Sequence, residues 1–184
     1  MAAARGAALL AGAVLLSLGG VACGRALPED TPAATGPAET GAFQEPANDE
    51  GAITGTGTGE AHDYLAAVGK ALEAEDPTVK LRVEDAEPDY KALCAGRVDV
   101  VAAIGVVDVC KQAVAFHVAD AGGAPVVFYV NRNSLLDTFE VESLIQYAVD
   151  NGETLPDKTG VDPLSIDELQ DTQTKLEDAV AGVG

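Results

Sequence analysis

The chain has no tryptophan, and all of its aromatic residues together make up 4% of its 184 positions. A core must therefore be built from Val, Leu, Ile and Ala, and the 47% hydrophobic content is enough for one. Basic residues are scarce as well: 11 Lys and Arg stand against 30 Asp and Glu, a formal net charge of −19. That balance disfavours nucleic-acid binding through a basic surface. It leaves room for a small anion, because N–H groups at contact range outweigh screened distant charge. The two histidines, His62 and His117, fit no zinc spacing. The acids lack calcium-loop spacing and read as a solvated surface, so no metal is expected. No nucleophile elbow, paired catalytic motif, nucleotide-binding signature or internal repeat is present. The expectation is a protein that is not an enzyme and carries no cofactor.

The stretch from Ile53 to Glu75 carries the most information. Thr54-Gly55-Thr56-Gly57-Thr58-Gly59 reads as a glycine-threonine loop after an apolar strand end. From Glu60 the pattern turns helical, with Leu65, Val68 and Leu72 on one face. Free N–H groups at such a helix start form a site for a small anion, and threonine hydroxyls add donors. The competing reading is a plain turn in which Thr58 or Gly59 only caps the helix. Glu60 works against an anion, since its carboxylate already occupies the favourable end of the helix dipole.

Residues 1–22 read as a signal peptide: Arg5 supplies a short basic region and Ala7 to Leu18 an uncharged apolar core too short for a membrane span. Gly20-Val21-Ala22-Cys23 resembles the lipobox of bacterial lipoproteins, with Gly20 in place of the usual Leu. The resemblance implies that Cys23 is lipidated and becomes the first mature residue, on the outer face of the cytoplasmic membrane. An ordinary secretory cleavage nearby is the alternative. Residues 23–50 hold Pro28, Pro32, Pro37 and Pro46 with no apolar periodicity, and read as a disordered tether.

Residues 51–184 read as one folded α/β lobe. Val79 to Val83 alternates as a strand, and Asp85-Ala86-Glu87-Pro88 is an acidic turn. Pro88 suits the first turn of a short helix through Leu93 that ends by Gly96. Val98 to Ile104 reads as a buried strand. Ala113 to Val118 and Pro125 to Asn131 are two more, split by Gly122-Gly123. Phe139 to Val149 is a helix. Ser165-Ile166-Asp167-Glu168 is a capping box that opens the last helix, whose expected face is Ile166, Leu169, Leu176 and Val180. Strands alternating with helices predict a largely parallel sheet.

Cys94 and Cys110 lie 16 positions apart (110 − 94) and, in an exported chain, are expected to form a disulfide. A metal or redox pair is the weaker alternative, since no Cys-x-x-Cys exists. Ile53 to Thr58, Tyr90-Lys91-Ala92-Leu93-Cys94-Ala95-Gly96-Arg97-Val98-Asp99-Val100 and Cys110, in that order, resemble the phosphate-binding protein of bacterial ABC transporters. Pro125 to Asn131 and Gly160-Val161-Asp162-Pro163-Leu164-Ser165 resemble later parts of that family. The resemblance implies a periplasmic-binding-protein type II lobe, phosphate as ligand and a transporter permease as partner. It places ligand contacts at Thr56, Gly57 and Thr58. Members of the family have two lobes that close around phosphate, and here only Arg132 to Thr138 fills the place of the second. Asp85-Ala86-Glu87-Pro88 and Ala103-Ile104-Gly105-Val106 stand where the family carries polar ligand contacts. The expectation is a single open lobe that binds phosphate or another anion weakly. The alternative is an interaction module that docks to a transporter, sensor or envelope partner.

The lipobox-like motif sets the first test. Cys23→Ser should move the protein from the membrane fraction to the soluble fraction. Unchanged membrane association, or an intact protein without acyl mass, contradicts lipidation.

Overall fold

The computed structural model describes residues 52–156 and 159–182. The expected signal peptide, Cys23 and the tether up to residue 50 lie outside the described residues. Five strands are formed: β1 (Ala52–Gly57), β2 (Lys80–Asp85), β3 (Val100–Ile104), β4 (Ala113–Ala121) and β5 (Ala124–Asn131). They make one sheet in the order β2-β1-β3-β5-β4. β1 runs parallel to β2 and β3, while β5 runs antiparallel to β3 and β4. Only β5 therefore points against the rest, and the α/β lobe with a mostly parallel sheet is what forms. The departure has a simple cause. Two residues between β4 and β5 suffice for an antiparallel hairpin but not for a parallel crossover.

The helices are α1 (Gly59–Glu75), α2 (Tyr90–Cys94), α3 (Arg132–Asp137), α4 (Phe139–Asp150) and α5 (Ile166–Val180). Connectivity dictates their sides. The chain steps one way from β1 to β2 and the other way from β2 to β3, so two right-handed crossovers require α1 and α2 on opposite faces. The buried clusters obey this. Tyr64, Leu65 and Val68 of α1 pack with Ile53, Phe116, Phe128 and the α4 residues Leu144 and Ile145. Leu93 of α2 packs on the other face with Val101, Ala103, Val127 and Tyr129. One face thus carries most of the core. The other is covered by five helical residues and the loop that follows β3.

Several expectations are corrected. The loop read over residues 54–59 is strand up to Gly57, because pairing on both sides with β2 and β3 overrides its weak strand propensity. Gly57 suits that position sterically: a Cβ there would lie 2.9 Å from the Ala102 carbonyl oxygen. The strand read over 98–104 begins at Val100, and Ile104 is exposed rather than buried. Pro88 lies before α2 rather than in its first turn; Asp89 caps the helix, accepting from the Ala92 N–H at 2.9 Å. Arg132 to Asp137 is not a bare link but α3, capped by Asn131, whose side-chain oxygen accepts from the Asn133 and Ser134 N–H groups. In α5 the capping box forms as expected, but the buried face is Thr172, Leu176 and Ala179, and Ile166 is exposed. Thr172 turns inward because its hydroxyl donates to the His117 carbonyl at 2.8 Å.

Cys94 and Cys110 form a disulfide, with Cα atoms 6.3 Å apart. It ties the end of α2 to the loop after β3, the two pieces that cover the thin face. Replacing either cysteine with serine should cost about 3 kcal/mol of unfolding free energy in denaturant titration, the loop-closure value for this length. Free thiols at both positions in protein isolated without reductant would contradict the pairing.

Candidate functional site

Strand order reverses at β1, whose two neighbours are reached by crossovers on opposite faces. In open α/β sheets such a switch point leaves a crevice outside the carboxyl ends of the strands. Here the crevice lies between the end of β1, which leads into α1, and the end of β3, which leads into residues 105–112. The sequence-predicted contacts are distributed around it. Thr58 is the N-cap residue of α1, in extended conformation, and its hydroxyl makes no capping bond. Gly59 follows with φ +56°, the left-handed region that favours glycine. Bonding along α1 starts with the His62 N–H to the Thr58 carbonyl at 3.4 Å, so the N–H groups of Gly59, Glu60 and Ala61 have no helical acceptor. Thr58 and these donors come together at one spot.

Thr56 and Gly57 do not join them. An added Cβ at Gly57 would meet the His62 backbone, which puts that side of β1 under α1. Strand alternation then turns Thr56 to the opposite face, in register with Val101. Thr56 is only 7% exposed, and its hydroxyl has no hydrogen-bond partner among the described residues. The Gly57 carbonyl already accepts from the Ala86 N–H at 3.0 Å.

Charge around the crevice is acidic. Glu60 stands in the first turn of α1, and pairing sets Glu84 and Asp85 beside Thr56 and Gly57. The β3 side is apolar: Ile104, Val106 and Val107 are exposed at 45%, 75% and 42%. Tyr129 holds this loop in place, accepting from the Val107 N–H at 2.7 Å and donating to the Gly105 carbonyl at 3.3 Å. Tyr90 packs edge-on against Tyr129 with ring centres 5.4 Å apart. Burial, followed by the neighbouring Tyr129, raises the Tyr90 phenol above its usual range. The arrangement offers N–H donors to an oxyanion on one side and a rigid apolar ledge on the other. Among the described residues, no cluster of three or more His, Cys, Asp or Glu could hold a metal ion.

At the other end of the sheet a polar knot joins four segments. The Asp99 carboxylate accepts from the Thr54 N–H at 2.9 Å, the Thr54 hydroxyl at 2.8 Å and the Ser134 hydroxyl at 2.7 Å. Asn131 donates from its side chain to the Leu93 carbonyl at 2.6 Å and from its backbone to the Asp99 carbonyl at 3.0 Å. Sequence reading missed this role. A lone Asp between Val98 and Val100 was the available signal.

No protein-family model matches the chain, and no curated protein matches it by sequence. The fold does have a solved counterpart in the crystal structure of a possible phosphate binding protein from Planctomyces limnophilus DSM 3776. The two are 12% identical with a TM-score of 0.58, and the match covers 71% of this chain and 99% of that one. At this identity the likeness speaks for the fold alone. The matched part takes in nearly the whole of that chain. Asp99→Ala, which leaves three half-buried donors without their acceptor, should lower stability by about 2–4 kcal/mol in chemical denaturation. A loss below about 0.5 kcal/mol would mean that the knot is replaced by water. The chain's architecture is a five-stranded α/β fold similar to that of a possible phosphate binding protein.

Proposed function

We propose that the chain is an exported, lipid-anchored, single-lobe binding protein that resembles the phosphate-binding component of an ABC transporter. It holds phosphate or a similar small anion weakly and has no catalytic role. One observation carries this reading: the free Thr58 hydroxyl and the first-turn N–H groups of α1 converge at the switch point of the sheet. The fold shared with a possible phosphate binding protein supports the ligand class. A permease is the natural partner, since a tethered lobe with a loosely held anion can only pass it on nearby.

The weakness follows from the geometry. Hydrogen bonds to a charged group contribute roughly 1.5–3 kcal/mol each, and a few of them on an open face must also offset the cost of association. Glu60 opposes the anion further. The expected dissociation constant is on the order of millimolar.

The exposed Ile104, Val106 and Val107 beside the same crevice favour a second reading, an interaction module that docks to a transporter, sensor or envelope partner without a ligand. Amide shifts during a phosphate titration separate the two. Saturable shifts at residues 58–61, tightened in Glu60→Gln, are expected for the anion site. Silence there at phosphate well above millimolar removes the site and leaves the docking reading.

A further inference from the structure

The sheet has two edges, and they differ in how far they are already covered. At the β4 edge the Ala113 N–H goes to the Cys110 carbonyl at 3.0 Å, and the His117 carbonyl accepts from the Thr172 hydroxyl at 2.8 Å. β2 is the other edge. The Ala86 N–H donates to the Gly57 carbonyl at 3.0 Å, so even-numbered residues here bond towards β1. Leu81, Val83 and Asp85 therefore turn their peptide groups outward, and no strand lies beyond them among the described residues. The Leu81 N–H donates to the Glu73 carboxylate at 3.0 Å, in keeping with that outward direction.

Side chains follow the same alternation. Leu81 packs against α1 at Gly69, where an added Cβ would collide with it, and Lys80, Arg82 and Glu84 are exposed on the opposite face. A groove of about 240 Å³, lined by Ala66, Lys70, Glu73, Leu81 and Val83, lies on the α1 side of the edge. Charge is graded along β2. Its first half is basic, at Lys80 and Arg82, and its end is acidic, at Glu84 and Asp85. Arg82 is already engaged within the lobe and is not counted on as a free cation. A parallel copy in register would set Lys80 beside Lys80 and Glu84 beside Glu84. An antiparallel copy brings the basic end of each strand to the acidic end of the other. Opposite charges across strands stabilise a pair and like charges weaken it. Two-fold pairing also closes, because each β2 edge is used once.

We infer that β2 pairs antiparallel with β2 of a second copy of this chain, about a two-fold axis at Val83, joining the two five-stranded sheets into one. Each Val83 N–H then donates to the Val83 carbonyl of the other copy, and each Asp85 N–H to the Leu81 carbonyl of the other copy. Glu73 keeps the Leu81 N–H throughout. Glu84 stands diagonal to Lys80 of the other copy, within reach of a long side chain. The groove beside α1 takes the other copy's Val83 side chain. This interface is independent of the anion site at α1.

The test is sedimentation equilibrium of the full chain, with amide hydrogen exchange on the same samples. A dimer is expected at protein concentrations on the order of 1 mM. Protection at Val83 and Asp85 should rise with concentration, while Leu81 and Glu84, whose N–H groups are bonded within each copy, should not change. Val83→Pro removes the central donor, a bond that the lobe itself does not use, and should leave a monomer. Glu84→Lys, at an exposed position, sets like charges across the pair and should weaken association about tenfold. The inference is overturned if the full chain stays monomeric at that concentration, or if either variant associates as the parent does. It is also overturned if the protection gained lies elsewhere than at Val83 and Asp85.

Discussion

Everything in this lobe hangs from β1, and β1 is held in register by one carboxylate. Asp99 accepts both the N–H and the hydroxyl of Thr54, then reaches Ser134 with its second oxygen. β1 is thereby fixed against the start of β3 and against α3. A one-residue slip would turn Ile53 out of the large aliphatic cluster and bring the Thr56 hydroxyl to that face instead. The polar knot makes that slip costly, because it would leave three donors without an acceptor. The far end of β1, where α1 starts, is positioned as a consequence.

The two faces of the sheet are unequal, and the inequality explains the disulfide. α1, α4 and α5 bury one face under a broad aliphatic layer. The other has α2, five residues long, and the loop after β3. A helix that short does not persist on its own. It is kept by the Asp89 cap, by Leu93 in the small cluster, by the Asn131 contact to its carboxyl end and by the bond to Cys110. Tyr129 does the same for the loop, through hydrogen bonds to Gly105 and Val107. Covalent and polar ties stand in for missing hydrophobic area, as small exported folds commonly require.

Strongly periodic segments were legible in the sequence. Leu65, Val68 and Leu72 gave the buried stripe of α1, and Ser165 with Glu168 gave the start of α5. The Thr-Gly repeat misled, because glycine propensity says loop while the two flanking strands demand a third between them. α3 was missed because its six residues show no helical period, and Asn131 announces it only once the strand before it is placed. The capping position of Thr58 follows from local sequence, whereas the opposite orientation of Thr56 depends on where the strand begins.

Charge then decides what an open lobe of this kind can do. The α1 crevice supplies good N–H geometry in a poor field, with Glu60, Glu84 and Asp85 close by. An open crevice does not enclose an anion, so water would compete for every donor and the large gains of a closed, low-dielectric site are out of reach. A two-lobed protein solves this by closing over the anion. A single lobe must either accept rapid exchange or close against something else. The exposed Val106 and Val107 stand on the loop that ends at the disulfide, next to the exposed Ile104 at the end of β3.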